Sequence, residues 1–422
     1  MKRSIALVAL LTSVVLAPLA WGDGLPTVKP EEVGLSSERL ARVTQAIQGE
    51  IAKGRYPGAV ALVARRGKIA YFEALGVRDP KSGAPMSKDA IFRLYSMTKP
   101  FTSVAAMMLV EDGRLVLGDP VSKYLPKLQN LQVSAPRLDP QSGKVTYVLV
   151  PADREMTIQD LLRHTSGLVY SSTSHAGVKE LYAKEGVDWK DVTPAEQVER
   201  LAKVPLAHQP GGAWEYGLST DVTGRVVEAI SGKPLGEFLA QRLFEPIKMT
   251  DTGFVVPDGK TARLAQPFAT DSETGKPVAL LDVTVRPKND AGGAGAAGTA
   301  ADYARFSQML LNGGQLDGVR LLGKATVAHM SADHLGDIPV ASPTLARGYG
   351  FDLGFAVRKE TGLNPMTGSA GEYRWGGAAG TAFWIDPKEQ MVVVWMTQAQ
   401  PGPSRGQDRD LFRQLVEAAI ID

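Results

Sequence analysis

The strongest constraint on this chain is where its strand-like segments lie. GAVALVARRGKIAYFEALG (58–76) reads as a β-hairpin, two β-branched and aromatic runs turned near Arg66-Gly67. YGFDLGFAVR, GTAFWIDP and QMVVVWMTQ, the other strand-like segments, all lie past residue 345, with a turn at Asp386-Pro387-Lys388. Between these ends, TIQDLLRHTSGL, TPAEQVERLAKV, STDVTGRVVEAISG and PLGEFLAQRLF read as four short helices between 157 and 244. LSSERLARVTQAIQGEIAKG, from Leu35, predicts an amphipathic helix capped by Ser36 or Ser37 and ended by Gly54, and a closing helix is expected from about Gln407 to Ile420. This order predicts a mixed α/β fold of the α+β type. Its sheet is mainly antiparallel, because tight turns join the strands, and is flanked by N- and C-terminal helices with a mostly helical region inserted. The expected division is a sheet domain from 23–90 and 290–422, with 91–289 as the helical insert. Residues 134–155, rich in Pro and polar residues with isolated Val, are expected to form an irregular excursion.

Residues 1–22 are expected to stand apart from this fold. MKRSIALVALLTSVVLAPLAWGDG has a basic start (Lys2, Arg3), an apolar stretch from Ile5 to Leu16 and then small residues. That pattern predicts a secretory signal peptide, cleaved after Ala20 or Gly22, and export to the periplasm or the medium. The apolar stretch is too short to span a bilayer comfortably, and no later segment has the length and apolarity of a stable membrane span. The chain contains no Cys, so neither a disulfide, a thiol nucleophile nor lipid attachment at the cleavage site is available. A net charge of +2 without any Lys/Arg-rich run gives no pointer to nucleic acid.

Several apparent motifs carry little. GGAGAAG (292–298) contains a literal G-x-G-x-x-G at Gly293, Gly295 and Gly298, but PKND precedes it where a dinucleotide site needs a strand. A flexible cleft wall is the better reading, with TAADYARFSQMLLNGG following as a helix capped by Thr299. GVRLLGKA (318–325) lacks the Ser or Thr of a phosphate loop, having Ala325 there. The five histidines include no H-E-x-x-H, so no metal is expected, and there is no G-x-S-x-G nucleophile elbow. His164, in LLRHTSGL, reads as a residue tying a helix end to the following turn.

RLYSMTKPFTSVAAMML (93–109) places Ser96 three positions ahead of Lys99 at the start of an apolar helix that ends at Gly113. Spacing alone proves nothing, since about one Ser-x-x-Lys is expected by accident in a chain of this size. The chemistry is nevertheless coherent. A serine hydroxyl needs a neighbouring base before it attacks a carbonyl, and a lysine shielded from water can serve. Positions i and i+3 share one helix face, and a helix N-terminus adds oriented N–H groups beside the reacting carbon. Two further segments add weight. AHQPGGAWEYGLSTDVTGRVVEAISG (207–232) presents Tyr216 just before a helix start, and GEYRWGGAAGTAFWIDP (371–387) carries two glycines into a strand, as a close backbone or ligand approach requires.

In this order the segments resemble the serine β-lactamase and penicillin-binding superfamily, in its class C β-lactamase-like branch, which includes D-aminopeptidases, D-alanyl-D-alanine peptidases and family VIII carboxylesterases. The resemblance covers nearly all of the chain after the leader: SMTK at 96–99, HTSGL at 164–168, PGG-x-W-x-Y up to Tyr216, GTAADYARF at 298–306 and WGG at 375–377. It implies a β-lactamase/transpeptidase-like fold, with Ser96 as the acylated nucleophile, Lys99 as its proton partner and Tyr216 as base or proton shuttle. It further implies that Trp375, Gly376 and Gly377 occupy the substrate strand, and that the N–H groups of Ser96 and Ala378 form the oxyanion hole. No metal or organic cofactor is implied, and the partner is a small-molecule ester or amide. The departures point to substrate class: Leu218 stands where the lactamases carry asparagine, Trp375 replaces a cation, and Gly376 removes a hydroxyl. Losing charged and hydrogen-bonding partners favours neutral esters, and Trp-Gly-Gly looks like the family VIII esterases. A D-amino-acid peptidase or amidase, a β-lactamase-type hydrolase, an acyltransferase and a non-catalytic penicillin-binding-like protein are the alternatives. Residues 134–155 and 170–192 are expected to frame the cleft.

Overall fold

The computed structural model describes residues 24–422 except 173–174, 188–190, 401 and 403, and the expected signal peptide lies outside the described residues. The hairpin near the N-terminus forms strands Gly58–Arg65 (β1), Lys68–Asp79 (β2) and the short Ala84–Pro85 (β3). Its turn places Arg66 and Gly67 both at positive φ, the backbone of a tight two-residue hairpin loop. The C-terminal part supplies Tyr349–Phe351 (β4), Ala356–Arg358 (β5), Tyr373–Gly376 (β6), Ala382–Asp386 (β7) and Met391–Thr397 (β8). All eight join one antiparallel sheet in the order β4-β5-β6-β7-β8-β1-β2-β3. The β1–β8 pairing, with Ala61 opposite Trp395, is the seam that welds the two ends of the chain.

Every residue of β1 and β8 is buried, which explains why both read as continuous apolar runs rather than alternating ones. Helices cover both faces. On one, Ser37–Ala52 (α1) and the C-terminal helix Ser404–Glu417 pack Leu40, Val43, Ile47, Phe412 and Val416 against Ala61, Val63, Val393 and Trp395. On the other, Lys99–Glu111 (α2) and Ala300–Leu311 bring Phe101, Val104, Tyr303 and Phe306 against Val60, Leu62, Val392 and Val394. Ser36 caps α1 and Thr299 caps the 300–311 helix, each accepting the amide three residues on. Between the sheet's two sequence halves, Ile158–Leu162 (α3) ends at the HTSG turn and Ser219–Ser231 (α4) follows the Tyr216 loop.

Two sequence expectations are corrected here. Residues 134–155 are not irregular: Gln132–Leu138 pairs antiparallel with Val145–Pro151. The Asp139 carboxylate accepts the Gln141 and Ser142 amides and so closes the connecting turn. YGFDLGFAVR is two short strands, because Gly354 at φ 136° and the Asp352 carboxylate, bonded to Phe355 N–H, turn the chain between them. Among the described residues no helix is long and apolar enough to cross a membrane.

Candidate active site

Ser96 does not lie in the α-helix itself. It sits in a 3-10 turn, Tyr95–Thr98, that feeds directly into α2 at Lys99. In a 3-10 turn residues i and i+3 eclipse one another, so Ser96 and Lys99 stack more directly than on an α-helical face. The turn is held from outside: Leu281 N–H donates to Tyr95 Oη at 3.0 Å, Tyr303 Oη to Met97 O at 3.0 Å and Ala296 N–H to Thr98 Oγ1 at 3.0 Å. These bonds support Tyr95 at φ 48°, a left-handed backbone that non-glycine residues rarely adopt.

Lys99 is 1% exposed. Its ammonium donates to Gly293 O at 2.8 Å, Tyr170 Oη at 3.0 Å and Ser96 Oγ at 3.4 Å, which supplies one acceptor for each of its three hydrogens. Nζ also lies 4.6 Å from the centroid of the Tyr216 ring. The glycine-rich segment is therefore a packed wall whose backbone carbonyl faces the lysine, rather than a flexible one, and Gly292 to Gly295 are buried or half-buried.

Tyr216 Oη donates to Ser96 Oγ at 2.7 Å and accepts the Trp375 indole N–H at 3.4 Å. Its loop is clasped by His164. Glu215 N–H donates to His164 O at 3.0 Å, Gly217 N–H to Nδ1 at 3.4 Å, and Nε2 lies 3.3 Å from Thr220 Oγ1. An Nδ1 acceptor requires the neutral Nε2–H tautomer. Burial, with the Lys99 charge in addition, holds His164 well below the usual imidazole range. His164 thus ties the end of α3 to the Tyr216 loop and the start of α4, rather than only to the turn that follows it. Leu218, where the lactamases carry asparagine, is fully buried in the core.

Strand β6 brings Trp375 to 5.2 Å from the Tyr216 ring and edge-on to Phe351 at 5.3 Å. Gly377 follows with its N–H donating to Thr381 O at 2.8 Å, while Thr381 Oγ1 donates to Leu94 O at 3.2 Å. A Cβ on Gly377 would lie 2.2 Å from Leu94 O, so only glycine lets this turn rest on the segment leading into Ser96. Ala378 sits exposed in that turn. Among the described residues neither the Ser96 nor the Ala378 N–H meets an acceptor, which leaves both available to an incoming oxygen.

The structure therefore brings Ser96, Lys99, Tyr216 and Trp375 together from three separated segments, with Gly376, Gly377 and Ala378 beside them. Sequence reasoning missed Tyr170 and the Gly293 carbonyl as partners of Lys99. The first had a signal, since Tyr170 follows HTSGL by two residues and lies in the stretch expected to frame the cleft. The second had none, because a backbone acceptor carries no residue type.

A sheet built from both chain ends, with a serine, a lysine and a tyrosine converging beside its strand β6, defines an active-site-serine enzyme. The family model described as Beta-lactamase matches residues 43–418, and the chain belongs to that family. It is 34% identical to Protein Rv1367c of Mycobacterium tuberculosis, over 82% of this chain and 87% of that one. It is 31% identical to Esterase EstB of Burkholderia gladioli (88% and 93% covered) and 32% to Lovastatin esterase of Penicillium rubens (83% and 91%). Among solved structures it resembles EstCE1, a hydrolase with promiscuous acyltransferase activity, at a TM-score of 0.73 and 27% identity, over 90% of this chain and 98% of that one. The chain is a serine hydrolase, carboxylesterase-like and β-lactamase-related.

Proposed function

We propose that this protein hydrolyses small esters through an acyl-enzyme on Ser96. The observation that carries the reading is the 2.7 Å contact between Tyr216 Oη and Ser96 Oγ, with Lys99 Nζ 3.4 Å from the same serine oxygen. In this scheme the reacting form carries Tyr216 as the phenolate, and Ser96 Oγ attacks the ester carbonyl as that phenolic oxygen takes its proton. The Lys99 ammonium beside the Tyr216 ring favours that phenolate before the attack and again once its proton has passed to the leaving group. The tetrahedral oxygen is received by the Ser96 and Ala378 N–H groups. Collapse expels the alkoxide, which takes the proton from Tyr216 and leaves as the alcohol. Water, deprotonated by the same phenolic oxygen, then attacks the acyl-serine, releasing the acid and returning the proton to Ser96. Trp375 and Tyr170 line the approach with apolar and phenolic surface. The signal-peptide pattern supports export of the mature protein to the periplasm or medium.

Turnover of p-nitrophenyl butyrate by the purified mature chain, with intact-mass detection of a butyryl adduct, tests the reading. Ser96→Ala should abolish both adduct and turnover. Tyr216→Phe should lower kcat by roughly 10²-fold or more, the scale of a lost general base. Turnover undiminished in Ser96→Ala would sink the scheme. The printed description of EstCE1 supports a second reading, acyl transfer from the same intermediate, which would appear as ester products when an alcohol is added.

A further inference from the structure

The 132–151 hairpin has two outer edges, and the fold treats them differently. Ser134 N–H donates to Leu206 O and Leu206 N–H to Gln132 O, each at 2.8 Å, so the first strand turns its even-numbered residues outward and Leu206 covers them at the base. Pro136, the next outward residue, has no N–H to offer. Register then fixes the second strand. Leu149, Tyr147 and Val145 stand opposite Ser134, Pro136 and Leu138, and the members of such an antiparallel pair both point N–H and C=O away from each other. Among the described residues, none of the backbone groups of Val145, Tyr147 and Leu149 has a partner.

Nothing on this open edge discourages pairing. Val145–Pro151 carries no charged residue, and its one proline is the last. Val145 and Leu149 are more than half exposed, as is Leu138 beside Val145. The large sheet ends differently, in the two-residue β3 and the three-residue β4, which are too short to recruit a further strand. The hairpin is also fixed in place. The Tyr147 ring stacks on His175 at 4.6 Å, and a Cβ on Gly177 would lie 2.4 Å from that ring. An exposed, uncharged, apolar edge on an anchored hairpin is a template for a strand of another chain.

We propose that two copies of this chain associate through Val145–Pro151, the two strands running antiparallel about a two-fold axis at Tyr147. This register sets Val145 opposite Leu149 of the other copy and Tyr147 opposite Tyr147, so every outward N–H and C=O of those residues finds a partner. Moving the axis by one residue opposes Leu149 to Gly143 in the turn, or Val145 to Pro151, which has no N–H. Pairing at Tyr147 also brings apolar side chains together across the strands, and Lys144 faces Val150 of the other copy, so no like charges meet. That self-complementarity selects a second copy over a foreign strand. Because Leu206 and Pro136 close the other edge of each hairpin, the pairing stops at two copies.

Analytical ultracentrifugation of the purified chain from about 1 to 200 µM tests this, since an interface of one strand per copy is small and should dissociate at roughly micromolar concentration. A monomer–dimer equilibrium without larger species is expected. Val145→Lys with Leu149→Lys opposes lysine to lysine at both ends of the pairing and should raise the dissociation constant about tenfold or more. Val145→Lys with Leu149→Glu opposes lysine to glutamate in the same places and should bind about tenfold more tightly than the lysine pair. Leu149→Pro takes an outward N–H from each copy while sparing the hairpin's own ladder, and should raise the constant roughly thirtyfold, the scale of two hydrogen bonds. Thermal melts separate lost pairing from lost fold, and the wild-type titration stands without any variant. A chain monomeric throughout that range, growth beyond the dimer, or a dimer indifferent to both the lysine pair and the proline overturns the proposal. Equal weakening by the lysine–lysine and lysine–glutamate variants also overturns it, because pairing at Tyr147 sets residue 145 against residue 149.

Discussion

Replacing His164 with asparagine tests whether the Tyr216 loop is held by a neutral imidazole. Asparagine tolerates the left-handed backbone found there, φ 56°, so the change acts through the side chain. It removes the acceptor for Gly217 N–H and the group facing Thr220 Oγ1, both buried. Two lost buried hydrogen bonds should lower stability by about 1–3 kcal/mol. The ring also packs 5.0 Å from that of Tyr216, so its loss lets the phenol shift relative to Ser96. Misplacement on the order of 1 Å can reduce a rate by roughly 10²-fold, so kcat should fall about 10- to 100-fold. KM should change little, because a fully buried side chain does not touch substrate.

The acid response is more diagnostic. In the unfolded chain this histidine titrates near 6.5, whereas folded it is held well below. Between those values the unfolded chain binds the extra proton, so stability rises with pH and is lost on acidification below 6.5. From pH 7.5 to 5.5 that component amounts to about 1.4 kcal/mol, and an asparagine is spared it. Burial also holds His208 and His334 below their usual range, but both are present in either protein and cancel in the difference. Urea denaturation of the two proteins at both pH values, alongside p-nitrophenyl butyrate kinetics at pH 7.5, gives the result. Equal kcat together with identical acid sensitivity would refute the clasp.

Two more outcomes follow from the same geometry. Tyr170→Phe takes one of three acceptors from the Lys99 ammonium and should lower kcat by roughly tenfold, while changing stability by less than about 1.5 kcal/mol; wild-type kcat would show that this contact is incidental. Gly377→Ala sets a methyl 2.2 Å from Leu94 O and should lose most ester turnover with a loss of about 1–3 kcal/mol in stability, read by thermal denaturation; a variant of wild-type stability would contradict the tight packing of that turn.

Much of the scaffold was legible because it depends on local chemistry. Ser36 and Thr299 announce helix starts through the amides they accept, and Arg66-Gly67 announces a hairpin through its backbone preference. Where tertiary packing overrides composition, legibility fails. The 132–151 hairpin has the proline and polar content of a loop, yet its ladder is completed by an Asp139-capped turn. Ser96 and Lys99 were legible as a pair, but not the 3-10 turn that stacks them, because that turn is held by Leu281, Ala296 and Tyr303 from nearly two hundred residues away.

The sequence by itself determined the order of strands and helices, the residue types available for chemistry, and the absence of any thiol, since these are properties of neighbouring residues or of single ones. Only the tertiary structure decided which carbonyl faces Lys99, which ring clasps the Tyr216 loop, and that Leu206 covers one edge of the 132–151 hairpin. Each of those is a contact between segments tens to hundreds of residues apart, and its strength lies in distance and burial, which exist only once the β1–β8 seam has closed the fold.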